Sequence, residues 1–164
     1  MDFNLSEDQQ AFAQTARQFA ESELAPHAAK WDREHIFPKD TIKAAGELGF
    51  CGLYTPEEAG GLGLSRLDSS IIFEQLALGC TATTAMLTIH NMATWMIASF
   101  GTDAVKDKYV EQLVMGELLA SYCLTEPGSV KQYDASKSPI TSCSQYLSLA
   151  ASVPKLAIIQ VAIL

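Results

Sequence analysis

From Gln75 to Thr102 the chain carries no Asp, Glu, Lys or Arg. A stretch that long without charge has two homes, a lipid bilayer or the middle of a protein core. Its polar content decides between them. Thr81, Thr83, Thr84, Thr88, His90, Asn91 and Thr94 would be costly in hydrocarbon, and His90-Asn91 falls mid-span. The sequence therefore predicts a helix buried inside a soluble bundle. A second apolar stretch, 147–164, is broken by Pro154-Lys155 and is too interrupted to span. No membrane span is expected.

The rest of the first 118 residues reads as amphipathic helices around that centre. Ser6, with Gln9 three residues on, forms a capping box. Phe12, Ala16, Phe19, Ala20 and Leu24 then share one apolar stripe at helical spacing. Pro26 interrupts the pattern, and a short helix is expected to resume to about Glu34. Pro38 and Asp40 open a helix that stops at Gly49, and Ser65 with Asp68 opens one that runs to about Leu78. Thr83 to Phe100 make the central helix, and Thr102 caps a last one ended by Gly116. Short connections favour antiparallel neighbours in a bundle. Past Leu118 an aromatic among small residues, Leu119 to Thr125, runs into the turn Glu126-Pro127-Gly128, which reads as one strand. The expected fold is all-α: a helical domain over 1–118, the start of a β domain over 119–129, and an irregular tail over 130–164.

Charge marks the same boundary. Residues 1–130 hold 8 basic and 18 acidic side chains, whereas 131–164 hold Lys131, Lys137 and Lys155 against Asp134. Either a second domain begins near 130 or the tail does not share the design of what precedes it. The net charge of -8 argues against nucleic acid as a partner. The first residues lack the basic and apolar regions of a secretion signal and the arginines of a transit peptide, so a bacterial cytoplasm is the expected compartment. Cys51, Cys80, Cys123 and Cys143 show no C-x-x-C spacing and no nearby histidine, which reads as reduced thiols and no metal site.

Spacing alone shows no catalytic constellation. Gly60, Gly61 and Gly63 fail the dinucleotide pattern, because Arg66 stands where the third glycine belongs, and they read as a flexible turn. His90 reads as a hydrogen-bonded core residue, with pocket lining as the other reading. His27 and His35 flank a solvated Trp31-Asp32-Arg33 segment, and Glu21, Glu23, Glu57 and Glu58 read as solvated faces. No Ser–His–Asp or Cys–His pairing can be argued.

A resemblance goes further. Ala120-Ser121-Tyr122-Cys123-Leu124-Thr125-Glu126-Pro127-Gly128-Ser129 resembles the entry into the middle β domain of the acyl-CoA dehydrogenases. Three pieces agree in order and spacing: the helix from Phe3 to Trp31 with Leu24-Ala25-Pro26, Leu48-Gly49-Phe50 followed by 56–63, and Ile89-His90-Asn91-Met92 with Trp95-Met96-Ile97 and Phe100-Gly101. Leu64 to Asp68, Thr83-Thr84-Ala85 and Ile89 to Met92 are most similar to the branch of that family that works in valine catabolism. The resemblance covers 1–129.

It implies an N-terminal helical domain, a middle β domain and a C-terminal four-helix domain, assembled as homo-oligomers with FAD between the last two domains and across a dimer interface. It implies α,β-dehydrogenation of an acyl-CoA, here a short branched one such as isobutyryl-CoA. A glutamate removes the α proton, the β hydrogen leaves as hydride to flavin N5, and an electron-transfer flavoprotein takes the electrons. A eukaryotic member would sit in the mitochondrial matrix. By the motif, Tyr122, Cys123, Leu124, Thr125, Glu126, Pro127, Gly128 and Ser129 line the flavin edge, with the Thr125 hydroxyl as a side-chain donor. Donors there favour the negative charge that builds on the reducing ring.

The chain departs from the family after Ser129, where Val130, Lys131 and Gln132 replace Gly-Ser-Asp. No acidic residue follows Asp134. Losing a general base alone costs about 10²–10⁴-fold. The expectation is an N-terminal fragment, inactive alone and with no catalytic residue of its own, whose natural continuation is replaced through a frameshift, a splice or an early stop. Two alternatives stand beside it: a helical interaction module without catalysis, and a small membrane-associated protein anchored by 147–164.

Overall fold

Ser6 opens the first helix by the reciprocal bonds its spacing predicts: the Gln9 N–H donates to Ser6 Oγ at 3.2 Å, and the Ser6 N–H donates to Gln9 Oε1 at 3.1 Å. The computed structural model describes residues 4–123, 146–148 and 160–163, with side chains over 4–121. Helix α1 spans Glu7–Phe19 and α2 spans Ala25–Glu34. Pro26 does not break the chain between them. A single π turn, Ala20–Leu24, joins the two, with the Ala25 N–H reaching back to Ala20 O. Proline has no N–H to give the preceding turn, and a turn widened by one residue lets the helix pass the ring.

Helix α3 spans Lys39–Glu47, α4 Arg66–Gly79, α5 Thr81–Phe100 and α6 Asp103–Val114. Ser65 caps α4 as expected, accepting the Asp68 N–H at 3.1 Å. Thr102 sits at the N-cap of α6, but its hydroxyl makes no capping bond.

Two contacts orient α1 against α4. Gln9 Nε2 donates to Asp68 Oδ1 at 2.8 Å, and Gly79 packs against Ala20 O and Leu24. The N-terminal ends meet and the C-terminal ends meet, so the two helices run the same way. A side chain at 79 would strike the Ala20 carbonyl, so glycine permits the close approach.

Helix α5 joins two cores. Leu87 belongs to one, with Phe19, Leu24, Ile42, Phe50, Leu53, Ile72 and Leu76; Ala93, Met96 and Ile97 belong to the other, with Val110, Leu113 and Val114. The uncharged stretch is thus the centre of the bundle, and no helix among the described residues is long and apolar enough to cross a membrane.

Strand β1, Ala120–Cys123, leaves the bundle where the sequence predicts. Two segments of the stretch read as irregular are also strands: β2, Tyr146–Ser148, and β3, Gln160–Ile163. Their order is β1-β3-β2, antiparallel, with Ala120 opposite Ile163 and Tyr146 opposite Ala162. Val161 and Ile163 are β-branched, and β1 offers them an open backbone edge.

Candidate functional site

Of the eight residues expected at a flavin edge, Tyr122 and Cys123 lie on β1, opposite Val161 and Gln160. Leu124, Thr125, Glu126, Pro127, Gly128 and Ser129 fall outside the described residues. Beside β1 is an apolar cavity of about 130 Å³, walled by Phe37, Ile42, Met86, Ile89, His90, Leu119, Ala120 and Ser121. Ligand pockets usually run to about 300–1,000 Å³. The cavity has room for a short apolar chain and none for a whole cofactor. Toward a flavin the described residues offer one fitting feature. Among the described residues β1 pairs on one side alone, with β3, which leaves its other backbone edge without a strand partner, as donors to a ring edge require.

His90 stands between this cavity and the second core, 2% exposed. Its Nδ1 accepts the Ala120 N–H at 3.0 Å, so the ring proton sits on Nε2, which donates to Leu113 O at 2.9 Å. The Thr94 hydroxyl lies 3.4 Å from Nε2. Burial holds the His90 pKa below the ordinary 6.5, although the bond from Nε2 to Leu113 O pulls it upward. The ring is therefore neutral and fully bonded, as the core reading of His90 expects, and it also lines the cavity.

Asn91 does the same on the next side of α5. Its Nδ2 donates to Phe50 O at 2.8 Å and Leu87 O at 2.9 Å, and its Oδ1 accepts the Leu53 N–H at 2.8 Å. Every polar atom of the side chain is used, which ties segment 50–53 to the central helix. Arg66 makes a further feature that spacing did not reveal. Its guanidinium carbon lies 3.7 Å from the Tyr54 ring centroid and 4.7 Å from that of Trp95, so the cation is held between two aromatic faces. Burial raises the Tyr54 pKa, and Arg66 opposes the rise. Sequence reasoning missed this because the three residues come from a loop, α4 and α5.

The glycine segment is closed. The N–H groups of Gly60, Gly61, Leu62, Gly63 and Leu64 donate to Glu57, Pro56, Gly52, Thr55 and Leu53 carbonyls at 2.8–3.1 Å. Gly60 and Gly63 hold φ of 87° and 60°, which glycine alone adopts freely. No N–H in this run is left for a phosphate, so the failed dinucleotide pattern has a physical reason. Cys51 and Cys80 are free thiols, and burial pushes the Cys51 pKa up to about 12, which keeps it unreactive. Among the described residues no cluster of His, Cys, Asp and Glu could hold a metal.

Comparison with known proteins places these features. Residues 6–117 match the acyl-CoA dehydrogenase N-terminal domain. The chain is 53% identical over 125 residues to the mitochondrial isobutyryl-CoA dehydrogenase of Bos taurus, covering 76% of this chain and 30% of the relative. It is 50% identical over 125 residues to that of Dictyostelium discoideum, with the same coverage. The structure of a glutaryl-coenzyme A dehydrogenase glutaryl-CoA complex superposes with a TM-score of 0.72 at 36% identity, covering 79% of this chain and 34% of that one. The chain spans about 30% of the length of the curated relatives it matches. A domain match over most of the chain, carried on the same fold, means that this protein belongs to the acyl-CoA dehydrogenase family.

Proposed function

We propose that the chain is the helical N-terminal part of a flavin-dependent acyl-CoA dehydrogenase for a short branched acyl-CoA such as isobutyryl-CoA. The observation that carries this is the small apolar cavity between α5 and β1, next to the strand that leads into 122–129. Bound FAD would supply the hydride acceptor. The chain's own residues act around it. Phe37, Met86 and Ile89 present an apolar wall that excludes water from a short acyl tail. By the motif, Tyr122–Ser129 would hold the flavin, with the Thr125 hydroxyl as a side-chain donor to it. The division proposed is a helical domain over 1–118, a β lead-in over 119–129 and a tail over 130–164 that departs from the family pattern.

Alone the chain is inactive, because nothing after Asp134 supplies a carboxylate base. With the rest of such an enzyme present, it works in a homo-oligomer that passes electrons to an electron-transfer flavoprotein. Its place is the cytoplasm of a bacterium or the mitochondrial matrix of a eukaryote.

Two measurements test this. The purified chain should show no flavin absorbance and reduce no dye with isobutyryl-CoA; a yellow chain that does so overturns the inactivity. Joining residues 1–129 to the remainder of the bovine relative should restore dehydrogenation of isobutyryl-CoA, and a folded but inactive chimera sinks the reading. An interaction role has one observation in its favour: Ile36, Phe37, Leu78 and Met86 are exposed along one groove. A chain that stays monomeric at high concentration argues against it.

A further inference from the structure

The first residue of β1 hangs on a side chain from another element. Ala120 is buried, and its N–H has the Nδ1 of His90 as acceptor at 3.0 Å. The opposite nitrogen of the ring reaches Leu113 O, near the end of α6, at 2.9 Å. One imidazole thus spans the short connection from α6 to β1 and pins both of its ends to α5. The arrangement works in one state alone. An acceptor at Nδ1 and a donor at Nε2 require the neutral ring with its proton on Nε2.

We infer that His90 is the positioning residue of β1: the neutral imidazole sets where the strand leaves the helical bundle, and protonation of that ring releases it. The role in catalysis rests on the reading of 122–129 as the flavin edge. The clamp itself rests on the geometry of α5, α6 and β1. A proton added at Nδ1 turns that atom into a donor facing the Ala120 N–H. Two donors then oppose each other in a buried site, and neither has an acceptor.

Among the described residues the surroundings offer the cation nothing in exchange. The cavity wall beside His90 carries no ionisable side chain other than its own. On α3 the ionisable groups are Lys39, Asp40, Lys43 and Glu47, all exposed. On α6 they are Asp103, Lys106, Asp107, Lys108, Tyr109 and Glu111, none of them buried. Glu117, after α6, pairs with Lys43 at 3.7 Å on the surface. Cys51, behind Ile42, stays a neutral thiol.

The test uses the whole chain, labelled with nitrogen-15. The ring-nitrogen signals of His90 should show the proton on Nε2 at neutral pH. Exchange of the Ala120 amide, corrected for its intrinsic pH dependence, should accelerate about tenfold or more as His90 takes up a proton below pH 6.5. The Leu53 amide, bound to Asn91, should keep its protection over the same range. In His90→Gln a side-chain oxygen and N–H replace the ring without titrating, so the acid-dependent step at Ala120 should vanish. His90→Phe should leave Ala120 unprotected at every pH. Should that variant fail to fold, the titration of the unaltered chain decides. A ring proton on Nδ1 at neutral pH, or an Ala120 amide indifferent to His90 protonation, overturns the inference. An Ala120 amide that follows His90 in a chain whose chimera stays inactive sinks the flavin reading alone and leaves the clamp standing.

Discussion

The two faces of α5 show opposite uses of the same helix. One face carries polar side chains and is closed: Thr83, Thr84, His90, Asn91 and Thr94 are all buried, with their bonds made. The other carries Met86 and Ile89 and is open, each more than a third exposed beside the cavity at β1. Polarity does not sort the residues into inside and outside here. On the closed face each polar group has a specific partner, so burial costs little. On the open face apolar atoms await a partner that the described residues do not supply.

The sharpest way to break the contrast is Asn91→Leu. It leaves the Leu53 N–H and the Phe50 carbonyl buried without partners and should cost about 2–6 kcal/mol in urea unfolding. A loss under about 1 kcal/mol would mean that the bonds do not close this face. Leu87→Ala, from the same side, should cost about 2–5 kcal/mol, chiefly through the cavity it opens. Acidification probes His90. Its folded pKa lies below 6.5, so the unfolded chain binds the proton first. The contribution of His90 to stability is full above pH 6.5 and falls as pH drops from there to the folded value. Urea midpoints for the chain should decline in that window, and the decline should be smaller in His90→Gln. Arg66→Ala removes two partly exposed cation–π contacts and should cost about 1 kcal/mol. On the open face, Ile89→Ser should move stability by no more than about 0.5 kcal/mol while weakening the binding of an apolar dye. A large loss there would show that the open face is already covered.

The same contrast marks what could be read from sequence. Ser6 with Gln9 and Ser65 with Asp68 were legible, because a cap and its partner lie three residues apart. The charge-free stretch was legible as a buried helix, because composition alone excludes the surface. His90 was legible as bonded, but not its partners, which lie 23 and 30 residues away. The Arg66 sandwich was hidden for the same reason. Pro26 told of a missing donor and not of the π turn that absorbs it. In the tail, the apolar 160–163 segment had strand propensity, but its partner β1 lies far back in the chain. Thr125 and its neighbours stay on the strength of the motif, since they lie outside the described residues.

The reach of Asn91 has a kinetic side. Its bonds to Leu53 and Phe50 bridge 38 and 41 residues, and closing a flexible loop of that size costs roughly 3 kcal/mol in chain entropy. Those bonds gain nothing until α4 and α5 have docked and brought the two segments together. They therefore belong late on the folding route, on the native side of the barrier. Asn91 then acts as a brake on unfolding more than as an aid to folding, and its loss should shorten the lifetime of the native state while leaving the refolding rate almost unchanged.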